Sequence, residues 1–153
     1  MVQDDHYFMH IALEEAGRSG AEGNSAVGSI IVRGGEVISR GRNLEAATHD
    51  PTTHAEMVAI RNASANIDPS ELSGCVLYTT FEPCPMCCGA IIVNGISKIV
   101  MGARHTPPHR KWGGYSVEKL VELAKRDSEI QVVTGILPEE CMQIRQEWEA
   151  KNA

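Results

Sequence analysis

The sequence predicts an α/β protein: a mixed sheet with helices packed on both of its faces. Two observations carry this. After an opening hairpin pattern, short runs rich in β-branched residues alternate with segments of helical periodicity. The 153 residues, with 42% hydrophobic and 22% charged content, suit one domain around one sizeable core, so 1–153 is read as a single unit.

In chain order, 4–18 reads as an amphipathic helix, with Phe8, Ile11, Ala12 and Ala16 recurring at steps of three and four. Asp4 and Asp5 suit its start, and Gly17 and Gly20 suit its end. Residues 27–32 form an apolar β-branched run, and Gly34-Gly35 separates it from Val37-Ile38, which is the pattern of a hairpin with a two-residue turn. Residues 54–65 have helical composition after a threonine-rich start, and 76–80 read as the next strand. Residues 85–93 read as a helix, because proline is at home in a first turn. A short strand at 98–101 leads into a Pro/Gly-rich loop, 102–114. The helix expected at 117–125 would bury Val117, Leu120, Val121 and Ala124. A fifth strand follows at 130–133, and Pro138 opens a last helix carrying Cys141, Ile144 and Trp148 on one face.

Composition excludes several classes. No apolar stretch is long enough to span a bilayer, and the acidic N-terminus has no apolar core of a secretory signal, so neither a membrane partner nor export is expected. Five cysteines, an odd number, argue against a disulfide framework and for a reducing, cytoplasmic setting. The net charge of −6 makes nucleic acid an unlikely partner. Its distribution is uneven: from 83 to 117 there is no Asp or Glu, while Lys98, Arg104, His105, His109, Arg110 and Lys111 lie in that stretch. This is either a solvated surface or a mouth that favours an electron-rich or anionic ligand.

The chemistry is concentrated in two short segments. Thr53-His54-Ala55-Glu56 and Pro83-Cys84-Pro85-Met86-Cys87 together supply His54, Cys84 and Cys87 as zinc ligands, with Glu56 two residues from the histidine. Three protein ligands, with the fourth position left to water, make a catalytic site rather than a structural one. Cys84 and Cys87 are one helical turn apart, and a helix start favours the thiolate that zinc requires. Each piece has another use. Thr53 to Glu56 also fits a helix capping box, and Pro-Cys-x-x-Cys alone fits a redox pair or half a zinc ribbon. The ribbon lacks its second cysteine pair, and all four residues in order point to one zinc per chain and to Glu56 as the acid–base residue. Cys88 points about 100° away from Cys87 on a helix and is read as a core thiol, as are Cys75 and Cys141. His49, His105 and His109 remain alternative ligands from loops.

The pattern H-x-E…P-C-x-x-C resembles that of the zinc-dependent nucleobase deaminases. From about residue 6 to 145 the chain resembles the cytidine deaminase superfamily. The stretches beginning at Tyr78 (Tyr-Thr-Thr-Phe-Glu-Pro-Cys-Pro-Met-Cys-Cys-Gly-Ala-Ile) and at His49 (His-Asp-Pro-Thr-Thr-His-Ala-Glu) resemble its tRNA adenosine, bacterial guanine and fungal cytosine deaminase branch. The resemblance implies a three-layer α/β/α sandwich around a five-stranded mixed sheet, and a homodimer. It also implies that Asn43 holds the substrate ring, that backbone groups near Ala55 and Cys84 position water and amine, and that Trp148 closes the pocket.

Within that family the substrate expected from the charge pattern is a free nucleobase or related amino-heterocycle such as cytosine, isocytosine or guanine. The tail from Pro138 carries Glu139, Glu140, Glu147 and Glu149 against Arg145 and Lys151, where tRNA adenosine deaminases have a basic helix. The loop 105–115, with His105, Trp112 and Tyr115, and the last helix are expected to form a lid; its aromatics either stack on a flat ring or pack the loop onto a dimer partner. The alternatives are a tRNA adenosine deaminase, a nucleoside or nucleotide deaminase, and an inactive zinc-stabilised scaffold subunit, the last disfavoured by the presence of Glu56.

Overall fold

A computed structural model describes residues 2–106 and 110–152. His109, one of the alternative ligands, lies outside the described residues. The helices are α1 (Asp5–Ala21), α2 (Glu45–Thr48), α3 (Ala55–Ser64), α4 (Pro85–Val93), α5 (Val117–Leu123) and α6 (Pro138–Lys151). The strands are β1 (Gly28–Arg33), β2 (Glu36–Arg42), β3 (Val76–Phe81), β4 (Lys98–Ala103) and β5 (Gln131–Val133). They form one sheet in the order β2-β1-β3-β4-β5. β1 is antiparallel to both β2 and β3, whereas β3, β4 and β5 run parallel. This is the expected mixed five-stranded sheet with helices on both sides.

The period of two along each strand builds two cores. Ile31, Leu77, Ile99 and Met101 face α3, α4 and α5, packing with Ala59, Ile60, Cys88, Ile91, Val117 and Val121. Ile30, Val32, Tyr78 and Val100 face the other way, onto Phe8, Met9 and Ala12 of α1 and Cys141 of α6. β3 and β4 are buried on both faces, which is why they read as near-continuous apolar runs. The hairpin turns on Gly34 and Gly35 with φ of 57° and 81°, the two positive angles a two-residue turn matched to strand twist demands. At Gly41 the helix α3 lies directly on β2: a Cβ there would run into the Ala55 carbonyl and the Ala59 amide.

Three elements differ from the sequence reading. α1 continues through Gly17 and Gly20 to Ala21, and both glycines face α6: a Cβ on them would lie at ordinary contact distance from Ile144 Cδ1 (3.8 Å) and Trp148 Cδ1 (3.7 Å). α2 and the 3₁₀ turn Pro69–Leu72 were not expected. Among the described residues no helix is long and apolar enough to cross a membrane.

Candidate active site

Two helix starts converge. His54 is the N-cap residue of α3, and Cys84 is the N-cap residue of α4, with Cys87 one turn further on. β3, the central strand, ends at Phe81 and delivers Pro83-Cys84 to the end of the sheet where α3 begins. The N-cap at His54, one residue later than the capping box requires, leaves Thr53 outside the helix, where its hydroxyl donates to the Asp50 carbonyl at 2.7 Å. Glu56 is thereby free of the capping role.

The Sγ atoms of Cys84 and Cys87 each lie 3.5 Å from Nδ1 of His54, and the three ligand atoms lie within 4.8 Å of one another. Bonds of about 2.3 Å to sulfur and 2.0 Å to nitrogen, meeting at a tetrahedral angle, separate sulfur from nitrogen by about 3.5 Å. The triangle therefore fits zinc, with a corner left open. The neighbouring Cys87 side chain and His54 hold the Cys84 sulfur down at about 4. Neither His49 nor His105 belongs to such a cluster among the described residues. Cys75, Cys88 and Cys141 are buried in the two cores.

Glu56 sits in the first turn of α3 and is 4% exposed. Burial pushes its carboxyl up to about 7, the charge on Cys84 adds to this, and its own amide, His54 and Arg145 pull the other way. The open side of the triangle faces a cleft of about 570 Å³, ample for a nucleobase with room for a sugar.

All six residues expected around the substrate line this cleft: Asn43, Ala55, His105, Trp112, Tyr115 and Trp148. Their situations differ. Asn43 is buried, with Oδ1 accepting from the Glu45 amide at 3.0 Å and Nδ2 donating to Glu45 Oε1 at 2.8 Å. Ala55 offers backbone only and is fully buried. His105 packs edge-on against Phe81, and burial lowers its basicity. Tyr115 donates its hydroxyl to the Pro83 carbonyl, so it braces the metal loop. Trp112 is half exposed at the mouth, and Trp148 brings a buried Nε1 with no partner among the described residues. Two further lining residues were given no role at the site by the sequence. Glu45 opens the one-turn helix α2, and Arg145 stands with its guanidinium 4.6 Å above the Phe81 ring.

Residues 2–103 match the family model described as the cytidine and deoxycytidylate deaminase zinc-binding region. The chain belongs to this deaminase family. It is 40% identical over 134 aligned positions to a tRNA-specific adenosine deaminase of Aquifex aeolicus, covering 76% of this chain and 89% of that one. It is 36% identical over 143 positions to the tRNA-specific adenosine deaminase of Bacillus subtilis, covering 92% and 85%. A solved structure from work on A-to-I editing by tRNA:A34 deaminases at the wobble position overlays with a TM-score of 0.75 at 32% identity, over 90% of this chain and 98% of that one. The guanine deaminase of Nitrosomonas europaea overlays with a TM-score of 0.82 at 25% identity, over 98% and 87%. The deaminase domain is thus that of a zinc-dependent aminohydrolase.

These relatives overturn the expectation of a free nucleobase as substrate, and with it the expectation that nucleic acid is an unlikely partner. Shared fold does not select a substrate, whereas the higher identities fall on the tRNA-directed enzymes. The error came from summing charge over a helix instead of over a face. Of α6, only Arg145 and Trp148 line the cleft, and Arg110 and Lys111 join them at its mouth. Glu139, Glu140 and Glu147 are exposed away from the cleft, whereas Glu149 accepts a hydrogen bond from Arg145 Nε at 3.0 Å.

Proposed function

We propose that this chain hydrolyses adenosine to inosine within a tRNA, releasing ammonia. The observation that carries the reading is 34–40% identity, over most of the chain, to proteins named tRNA-specific adenosine deaminases. The basic side chains Arg110 and Lys111 at the cleft support it, since phosphate neutralisation supplies much of the affinity for nucleic acid. An exposed Trp112 beside them suits an unstacked base next to the target.

In this reading His54 Nδ1, Cys84 and Cys87 hold zinc, which when bound supplies Lewis acidity and a water that is nucleophilic near neutral pH. Glu56, buried beside the ligands, accepts a proton from the attacking water, delivers one to ring N1, and passes another to the departing amine. The water oxygen bonds C6, the C6–N6 bond breaks, and nitrogen leaves as ammonia. Asn43, fixed by its two bonds to Glu45, presents its amide edge to the flipped-out nucleoside. The amides near Ala55 and Cys84 orient the oxygen and the amine, and Trp148 with Phe81 closes the apolar wall. The test is inosine formation in an anticodon stem-loop, measured beside guanine, cytosine and free adenosine. Turnover of the RNA alone supports the reading. Ammonia from the free compounds with none from RNA refutes it, and no turnover of any substrate by the zinc-loaded chain leaves a scaffold subunit.

A further inference from the structure

One carboxylate near the metal ligands has no part in the chemistry above. Glu45 Oε1 lies 3.1 Å from His54 Nε2, on the side of the ring opposite the two sulfurs. If Nδ1 faces the metal, Nε2 carries the ring proton and needs an acceptor. Glu45 does not reach this place by chance rotation of an exposed side chain. Its amide is bonded to Asn43 Oδ1 at 3.0 Å, and its Oε1 accepts from Asn43 Nδ2 at 2.8 Å. Asn43 is 4% exposed, and its own carbonyl accepts from the Ser19 hydroxyl at 2.7 Å, which fixes the group to the end of α1. The next turn is held from outside too, since the Ala47 amide donates to Asn24 Oδ1 at 3.0 Å.

We infer that Glu45 is a positioning residue for the metal ligand His54, holding the imidazole with Nδ1 toward the sulfurs and Nε2–H toward its own carboxylate. Carboxylates in this relation to a ligating histidine fix ring orientation and tautomer and raise ligand basicity. Here one oxygen, Glu45 Oε1, is shared between Asn43 and His54. The residue proposed to face the base and the residue that holds zinc are therefore joined through a single atom. The inference rests on His54 being a zinc ligand and not on the RNA reading.

The test uses the full chain with zinc and a chromogenic chelator, with ¹⁵N spectra of the His54 ring alongside. Glu45→Ala should weaken zinc by about 10- to 100-fold and blur the single Nε2–H tautomer, with an unchanged circular dichroism spectrum. Glu45→Gln keeps an acceptor oxygen and should recover most of the affinity and the tautomer signature, which a merely structural role for the carboxylate would not require. Wild-type zinc affinity together with a wild-type tautomer in Glu45→Ala overturns the inference. His54→Ala separates the layers: if it keeps full zinc affinity, the ligand assignment falls, whereas loss of zinc in His54→Ala with none in Glu45→Ala removes only the role of Glu45.

Discussion

Replacing Gly41 by alanine sets two effects of opposite sign against each other. Gly41 is not among the glycines with positive φ, so alanine suits its backbone. In open space such a change stabilises by about 0.4–1 kcal/mol, through the unfolded chain. The space is not open. The new methyl would occupy the place of the Ala55 carbonyl and the Ala59 amide, backbone atoms of α3 that cannot rotate aside. Overpacking of this kind costs about 1–3 kcal/mol, so the net expectation is a loss of about 1–2 kcal/mol. For a chain of this size that lowers Tm by about 2–8 °C. Ala55 follows His54 directly, so lifting α3 also moves a metal ligand, and zinc affinity should fall with stability. Thermal melts and chelator competition on Gly41→Ala measure both. Gly89→Ala is the control, because a Cβ on that α4 residue meets nothing within 4 Å and should stabilise by about 0.5–1 kcal/mol. An unchanged or raised Tm in Gly41→Ala would refute the argument that close approach at this glycine sets the height of α3.

Glu56→Gln preserves shape and should keep zinc while losing about 10²- to 10⁴-fold in kcat for inosine formation; near-normal turnover would remove Glu56 from the acid–base role. Lys111→Ala should weaken RNA binding and reduce the slope of log K against log salt by about 0.7, and an unaltered slope would place the phosphates elsewhere. The Glu118 carboxyl is held below its ordinary value of 4.5 by its bond to Arg104, so its stabilisation is present above that value and drains as pH falls through the depressed one. Glu118 is half exposed, so Glu118→Gln should lower stability at pH 7 by under about 1 kcal/mol and flatten the decline that sets in as pH falls below 4.5, followed by urea titrations.

The parts of the fold that were legible in the sequence are those fixed by local chemistry. α4 runs over 85–93 as read, because Pro85 marks its first turn and Gly95, at φ 72°, lies just past its end. β3 and β4 announced themselves as apolar runs, the mark of burial on both faces. α1 did not, since Gly17 and Gly20 carry the composition of a helix end while serving as the landing for Ile144 and Trp148, a contact known only once α6 has packed. α2 is a single turn held by Asn24 and Asn43, and a helix that short has no intrinsic signal. At the site, the spacing of His54, Glu56, Cys84 and Cys87 was readable because each ligand sits at a helix start. Glu45 and Arg145 were not, because their relevance depends on which way one face points. For the same reason a count of acidic residues after Pro138 misjudged the partner.

The strand order has a consequence for how the chain matures. β1 lies between β2, which leads to His54, and β3, which leads to Cys84, so the hairpin alone never brings the three ligands together. They meet only after β3 has docked against β1, a non-local pairing that is slow relative to hairpin closure. Metal capture with full affinity therefore waits on that docking, and zinc uptake followed in time during refolding reports the moment at which β3 has paired with β1.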